Sequence, residues 1–209
     1  MGILKVTQRC FFRKVGNLSE LRIDPEIQYV VRLIQVSDIN KIPPEQRPAF
    51  KNNLEHSDGG MVADVGENVV GWLFFAQKSR YHEVIDATLK FDSDSAYIYN
   101  LFTVPNFRGL GIASNVLDKA SRYLNSKGKK RVYITIFARN YPSIRAALKV
   151  GFREFGTVNF LRSFPFKIYR LRGKSESELN VLRKMLSVRT QLETSIGDKE
   201  LFLLSWHSY

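Results

Sequence analysis

The chain has 209 residues, of which 44% are hydrophobic and 25% charged, as is typical of one globular domain or one domain with an appendage. Its single cysteine, Cys10, excludes an internal disulfide framework and favours a reducing compartment, and no apolar run reaches the length of a membrane span. The formal net charge of +12 favours a polyanionic partner, such as nucleic acid, an acidic membrane face or a phosphorylated cofactor. Since the start of the chain also lacks the long apolar region of a signal peptide, we expect a cytoplasmic protein without a membrane partner.

The first half of the chain predicts mostly strands. Residues 1–26 begin apolar and basic and could form an extra strand or an arm. Residues 27–36 are rich in β-branched side chains, which is typical of a strand, and prolines break the following stretch into short pieces. Residues 61–65 and 69–77 predict a hairpin around a Gly-Glu-Asn turn.

The second half alternates strands with helices. Residues 95–104 predict a strand, and the stretch after it has the apolar spacing of a helix that stops at Gly128. Residues 131–137 predict a buried strand, after which Asn140 is placed to cap a short helix that ends at Gly151.

Two more strands and one more helix are expected near the end of the chain. Residues 156–171 predict strands that are interrupted at Pro165. Ser175 and Glu178 form a capping box in front of an amphipathic helix, which should dock on the body or on a second subunit. The order of elements predicts an α+β protein whose mixed sheet carries helices on its faces.

The sequence RGLGIA, Arg108 to Ala113, joins a predicted strand to a predicted helix. The first N–H groups of a helix have no intrahelical partner and carry its positive end, and Gly109 and Gly111 would let the backbone approach a ligand closely. The stretch therefore predicts a phosphate site made of main-chain amides, with a glycine turn of no function as the alternative. It is not a P-loop, because no Gly-Lys-Ser/Thr occurs. It is not a dinucleotide fingerprint either, because Ser114 replaces the third glycine and residues 131–137 contain no acidic residue.

Two motifs in the expected order resemble the GNAT-type N-acetyltransferases. Arg108, Gly111 and Ala113 match the R/Q-x-x-G-x-G/A pattern of that superfamily, and NYPSIRAALKVGF, Asn140 to Phe152, resembles its later motif. The resemblance is good over residues 97–171 and rests only on the pattern of strands before them.

The resemblance implies an α+β fold with a mixed, largely antiparallel central β-sheet, helices on both faces and a splayed pair of parallel strands. We accordingly divide the chain into three parts. Residues 1–26 are an arm or extra strand, residues 27–172 are a GNAT-like domain, and residues 173–209 are a C-terminal helical extension that contains the amphipathic helix.

The resemblance also implies a site for acetyl-CoA as co-substrate, without a metal. The site would lie between residues 97–104 and 131–137, where the backbone amides of Phe102 and Val104 would pair with the pantetheine arm. Asn140 would bond the arm from the other strand, which does not conflict with a role as helix cap. The cofactor-binding residues implied in this way are Phe102, Val104, Arg108, Gly109, Leu110, Gly111, Ile112, Ala113, Ser114, Asn140 and Ser143.

The implied reaction is direct attack of a neutral primary amine on the thioester, which needs a base for the amine and an acid for the leaving thiolate. The sequence departs from the family at both points. Ala147 stands where many members have a tyrosine as the acid, and residues 95–104 contain no carboxylate. Tyr99 and Tyr141 are the candidate catalytic residues, although core packing would also explain either of them.

The leading interpretation is an N-acetyltransferase that acts on a small-molecule or peptide amine, with His82 and Glu83 as possible lining of the acceptor side. A CoA-binding module without catalysis is the alternative, because the usual acid and base are missing. A nucleic-acid-binding protein is the third, suggested by the net charge and by KGKKR, Lys127 to Arg131. We expect no nucleic acid, because the charge of CoA itself accounts for a basic surface, and the sequence leaves a homodimer open.

Overall fold

The computed structural model of the protein describes residues 5–16, 27–163, 166–188, 192–195 and 197–206. The strands are β1 (Lys5–Val15), β2 (Val30–Leu33), β3 (Gly59–Val65), β4 (Asn68–Ala76), β5 (Ser79–His82), β6 (Ala87–Lys90), β7 (Ser95–Thr103), β8 (Arg131–Phe137), β9 (Arg153–Ser163), β10 (Phe166–Gly173), β11 (Leu186–Ser187), β12 (Leu192–Ser195) and β13 (Glu200–Trp206). The helices are α1 (Arg47–Glu55), α2 (Ile112–Ser126), α3 (Tyr141–Lys149) and α4 (Glu176–Met185), with short 3-10 turns at Val36–Lys41, Pro44–Gln46 and Pro105–Phe107.

Ten of these strands form one sheet in the order β12-β13-β10-β9-β1-β8-β7-β4-β3-β2. Each neighbouring pair is antiparallel except β7 and β8, which are parallel. Strands β11, β6 and β5 form a second, smaller sheet. The predicted mixed, largely antiparallel sheet with one parallel pair is therefore confirmed.

Helices cover both faces of the large sheet, as predicted. Helix α2 buries its apolar stripe, including Val116 and Leu117, in a core that α3 also joins through Ala147. On the opposite face, α4 packs through Leu179 and Leu182 into a second core. These amphipathic faces explain the layers, because each helix can bury its apolar stripe only against the sheet.

Strand β1 lies inside the large sheet, between β8 and β9. Arg9 of β1 is the register partner of Phe137 on one side and of Val158 on the other. Its alternating side chains serve both cores, since Phe12 packs on the α2 face and Phe11 on the α4 face. Of the two possibilities for the start of the chain, the structure has the extra strand.

The C-terminal part differs from the predicted helical extension. The Ser175 side chain accepts a hydrogen bond of 3.3 Å from the Glu178 N–H, so α4 begins with the expected cap. After α4, however, β12 and β13 add a hairpin to the edge strand β10. The predicted strand at residues 27–36 is shorter than expected, because a 3-10 turn begins at Val36. The sequence also gave no indication of the hairpin formed by β5 and β6.

Candidate functional site

The parallel strands β7 and β8 part before they end. Their pairing runs from Ser95 opposite Arg131 to Ile98 opposite Ile134 and does not continue. At Asn100 the backbone has a φ of +51°, and the register between β4 and β7 shifts at this point. Such a bulge bends a strand and redirects its side chains. Two cavities open in the resulting gap.

The first, which we name the α2 cavity, has a volume of about 520 Å³ and lies at the N-terminus of α2. Nine of the residues predicted to bind the cofactor line it, and the two others, Val104 and Leu110, do not. The nine are Phe102, Arg108, Gly109, Gly111, Ile112, Ala113, Ser114, Asn140 and Ser143.

The N-terminus of α2 presents free backbone donors to this cavity. Gly111 is the N-cap residue, adopts a φ of +77° and supplies no side-chain cap. The first intrahelical bond runs from the Asn115 N–H to the Gly111 carbonyl at 3.0 Å, so the amides of Ile112, Ala113 and Ser114 have no partner within the helix. Because glycine reaches positive φ without strain, the sequence allows the tight turn that exposes these donors. The arrangement suits an anion such as a pyrophosphate.

Three cationic side chains line the same cavity. They are Arg108 before α2, and Arg145 and Lys149 on α3. The Arg108 Nε group donates a hydrogen bond of 3.1 Å to the Thr103 carbonyl, which fixes this side chain beside the start of α2. Nothing in the sequence pointed to Arg145 and Lys149, although these two residues are four positions apart in α3 and therefore lie on one face of that helix.

The predicted role of the Val104 amide is wrong. Its N–H donates to the Val70 carbonyl of β4 at 2.9 Å and is not available to a ligand. Phe102, two residues earlier, is the register partner of Trp72, so by the alternation of an antiparallel pair its amide also points towards β4. The same alternation turns the amide of Thr103 to the gap between β7 and β8. The bulge at Asn100 sets this register, and nothing in the sequence revealed it.

The second cavity, which we name the hairpin cavity, lies on the other side of the gap and has a volume of about 470 Å³. The turn after β5 lines it, together with β7, β8, α1 and β1. Leu101, Asn140 and Ser143 line both cavities, so the two adjoin at the tips of the separated strands. The Asn140 Oδ1 atom accepts a hydrogen bond of 3.3 Å from the Ser143 N–H, so this asparagine caps α3 while it borders both cavities.

A chain of polar side chains crosses the hairpin cavity. The Thr135 hydroxyl lies 3.0 Å from His82 Nε2 and 2.7 Å from the Tyr97 hydroxyl. Burial, reinforced by the nearby charge of Arg9, lowers the pKa of His82 from 6.5 to about 4, so its imidazole is neutral at physiological pH. Burial raises the pKa of Tyr97 to about 12. His82 and Glu83, the predicted lining of the acceptor side, both line this cavity, whereas nothing in the sequence pointed to Thr135.

The two candidate catalytic tyrosines lie in different surroundings. Tyr99 lines the hairpin cavity, and its buried hydroxyl makes no hydrogen bond of ordinary geometry with the described residues. Burial raises the pKa of Tyr99 to about 12, and the Arg80 guanidinium lies 4.2 Å from its ring centroid. Tyr141 is 63% exposed and lines neither cavity, because the first turn of α3 turns it outwards. The structure therefore does not support Tyr141 as a catalytic residue.

Metal centres and membrane-spanning helices are both absent from the described ranges. No group of three or more His, Cys, Asp or Glu side chains is placed to hold a metal ion there. None of the helices seen in those ranges combines the length and the apolar character needed to cross a bilayer.

Comparison with known proteins places this geometry in a family. The sequence model of the acetyltransferase (GNAT) family matches residues 27–152. An N-alpha-acetyltransferase from Sulfolobus acidocaldarius is 24% identical over 142 residues, which are 62% of this chain and 82% of that protein. An uncharacterized N-acetyltransferase from Methanocaldococcus jannaschii is 29% identical over 97 residues, which are 46% of this chain and 40% of that protein.

A solved structure has a similar fold. The GCN5-related N-acetyltransferase from Sphaerobacter thermophilus matches with a TM-score of 0.53 at 13% identity, and the match covers 75% of this chain and 50% of that one. This likeness concerns the fold alone. Strand β1 and everything from β9 onwards lie outside the segment that the family model matches.

Proposed function

Since the chain belongs to the acetyltransferase (GNAT) family, we propose that it transfers an acetyl group from acetyl-CoA to a primary amine by direct attack on the thioester. The observation that carries the proposal is the meeting of two cavities at the gap between β7 and β8. One cavity has the groups that a CoA molecule needs, and the other leaves room for an acceptor. We also propose a cytoplasmic location, which the buried free thiol of Cys10 supports.

In this proposal the α2 cavity holds CoA. The free amides of Ile112, Ala113 and Ser114 bind the pyrophosphate, and Arg145 and Lys149 supply positive charge for the remaining phosphate. The amide of Thr103 replaces those of Phe102 and Val104 as the backbone partner of the pantetheine arm. In this proposal the binding of CoA thus depends on the turn at Gly111.

The amine enters through the hairpin cavity and meets the acetyl group beside Leu101 and Asn140, where the cavities adjoin. The thioester supplies an activated acetyl group. As the amine nitrogen bonds to the acetyl carbon and the carbon–sulfur bond breaks, the nitrogen must lose a proton and the thiolate must gain one. The side chains around the gap can serve both transfers.

We assign these transfers to two groups in the hairpin cavity. The neutral imidazole of His82, held by Thr135, accepts the amine proton directly or through a water molecule. Tyr99 retains its proton because its pKa is raised to about 12, so it can donate that proton to the thiolate. Holding both reactants in the gap contributes the rest of the rate, as expected for a mechanism dominated by proximity.

The test combines binding with turnover. Acetyl-CoA binding is measured by calorimetry, and transfer is measured by the release of free CoA thiol over a panel of primary amines. We expect binding, together with turnover of at least one amine. Gly111→Val should abolish binding, because valine at a φ of +77° is strained and fills the turn.

The matched control is Gly128→Val, at the other end of α2. Gly128 has a φ of +82° and open space around it, so this variant carries a similar backbone strain away from both cavities. It should still bind acetyl-CoA. Equal loss of binding in the two variants would contradict the assignment of the α2 cavity to CoA.

The second candidate is a CoA-binding module without catalysis. It is favoured by Ala147, which is fully buried at the position where many family members have the tyrosine, and by the absence of a carboxylate from β7. Tight binding of acetyl-CoA with no transfer to any amine of the panel would support this candidate over the first.

A further inference from the structure

We infer that the acceptor carries a carboxylate as well as its amine, and that Arg9 binds this carboxylate inside the hairpin cavity. The inference rests on the proposed function, because it concerns the acceptor of the proposed reaction. Arg9 belongs to β1, which lies outside the segment matched by the family model. No motif in the sequence pointed to Arg9.

Arg9 differs from Arg13 and Lys14 on the same strand. The Arg13 guanidinium lies 3.4 Å from a Glu178 carboxylate oxygen, and the Lys14 ammonium lies 2.9 Å from that of Asp118. Arg9 has no carboxylate within ion-pair distance in the part of the chain that the structure describes. Its Nε atom is buried and makes no hydrogen bond there. The described residues thus provide no counter-charge for Arg9.

The Arg9 guanidinium is held in place and faces the cavity. It lies 3.5 Å from the centroid of the Phe137 ring, which is its register partner on β8, and it lines the hairpin cavity. Stacking on an aromatic ring fixes the plane of the guanidinium but leaves its N–H edge for a ligand. Burial without a counter-charge lowers the pKa of Arg9, which is the effect expected where an anion is needed to compensate the charge.

The remaining charged side chains of the cavity do not supply that anion. Arg80 adds a second positive charge, and two of its five N–H groups donate to the His56 carbonyl at 2.9 Å and to Asn53 Oδ1 at 3.0 Å. Glu83 is exposed at the rim and is not within ion-pair distance of Arg9. The cavity therefore has an excess of positive charge, and Arg9 makes no hydrogen bond to the described residues that would compete with a ligand.

A carboxylate matches this arrangement better than a phosphate does. The planar fork of arginine pairs with the two oxygens of a carboxylate through two parallel hydrogen bonds. A phosphate usually draws several cations, as the α2 cavity provides with Arg108, Arg145 and Lys149. In the hairpin cavity the positive charge of Arg9 acts to lower the pKa values of His82 and Tyr97, so Arg9 lies close to both side chains. A carboxylate bound to Arg9 would therefore lie beside the polar side chains that border the reacting amine.

Matched acceptors test the inference. One arm compares β-alanine with β-alaninamide, and the other compares amidated peptides that begin Gly-Asp with those that begin Gly-Asn. Each pair differs in one carboxylate, and the two arms distinguish a free amino acid from an acidic peptide. We expect kcat/KM to be at least about tenfold higher for the carboxylated member in one of the arms.

Variants then assign the preference to Arg9. Arg9→Gln should remove the preference by lowering kcat/KM for the carboxylated acceptor alone, and Arg9→Lys should retain part of it. Arg13→Gln is the matched control, since Arg13 lies on the same strand over a Phe ring, 5.4 Å from the Phe155 centroid, but lines neither cavity. Thermal unfolding shows whether each variant is folded.

Three results would overturn the inference. They are a wild-type enzyme without preference in either arm, a preference that survives Arg9→Gln, and an equal loss for all acceptors in that variant, which would mean that Arg9 acts on the thioester. If acetyl-CoA binds and no amine is acetylated, the proposed function fails instead. In that case calorimetry of the same acceptor pairs with the CoA-saturated protein tests the Arg9 site alone. Tighter binding of the carboxylated member that is lost in Arg9→Gln supports the site. Equal binding of the two members excludes it.

Discussion

The ammonium group of Lys14 in β1 donates a hydrogen bond of 2.9 Å to the carboxylate of Asp118 in α2. Both residues are buried, and Arg122 donates to the second oxygen of the same carboxylate at 2.7 Å. This ion pair joins the first strand of the chain to the helix whose N-terminus borders the α2 cavity. The ion pair therefore connects α2, and with it the turn at Gly111, to a strand outside the family segment.

Lys14→Met should lower the free energy of unfolding by about 3 kcal/mol, because it leaves the Asp118 carboxylate buried with one partner fewer. The double variant Lys14→Met/Asp118→Leu should recover most of the loss, since it removes the buried carboxylate and Arg122, which is 33% exposed, stays in contact with water. Urea unfolding at equilibrium measures both. As a control, Lys51→Met in the exposed pair with Glu55 should change the free energy by less than about 0.5 kcal/mol. An equal loss in the single and the double variant would contradict the expectation.

Gly71→Ala should weaken acetyl-CoA binding by moving the start of α2. A Cβ atom at Gly71 of β4 would lie 2.8 Å from Ile112 Cγ2, so this side chain and the first turn of the helix must shift. Calorimetry should show a several-fold higher Kd. Gly156→Ala is the control, because its Cβ would meet the Arg172 carbonyl and Leu182 at 2.5 Å, far from the cavity. That variant should lose stability and keep its affinity, and a matching loss of affinity would argue against a local effect.

Tyr99→Phe should lower kcat by about 10²-fold and leave the Kd of acetyl-CoA unchanged, because it removes the proposed proton donor for the thiolate. Since the pKa of Tyr99 is raised to about 12, its ionisation should not reduce the wild-type rate at mildly alkaline pH. Tyr123→Phe serves as the control, since Tyr123 packs against Phe75 with 5.9 Å between ring centroids and lines neither cavity. An unchanged kcat in Tyr99→Phe would exclude this residue as the acid.

His82 should make stability depend on pH. Its pKa is about 4 in the folded protein, below the ordinary value of 6.5, so the unfolded chain binds the proton more readily. The stabilisation is fully present above about pH 6.5 and is lost as the pH falls towards about 4, by at most about 3 kcal/mol, because partial exposure weakens the effect. Urea unfolding of the wild type and of His82→Gln at several pH values measures the difference. His56→Gln, which removes an exposed histidine, should follow the wild type; a slope shared by wild type and His82→Gln would contradict the assignment.

Local signals in the sequence predicted much of the fold. The strand, glycine turn and helix around Gly111 were predicted because turn geometry and apolar spacing depend on neighbouring residues. The same holds for the cap at Asn140 and for the strand Arg131–Phe137, whose bounds agree with the structure. The predicted cofactor residues around the turn gather on one cavity for the same reason, although their binding role stays a prediction.

What the sequence did not predict depends on contacts between distant parts of the chain. The place of Arg9 in the hairpin cavity follows from the insertion of β1 between β8 and β9, and no local pattern encodes that pairing. The bulge at Asn100 shifts the register by one residue, which exchanges the backbone groups that face the gap. Tyr141 was a candidate by its nearness in sequence to Asn140, but the helical turn directs it to solvent.

The position of β1 also determines when the protein can fold during synthesis. Lys14 and Asp118 are 104 positions apart, and the strands that flank β1 are made later still. As the chain emerges from the ribosome, the first strand must therefore remain unpaired, with Phe11 and Phe12 unburied, until β8 and β9 have been translated. Completion of the sheet around β1 is consequently a late event, because it must wait until β9 has been made.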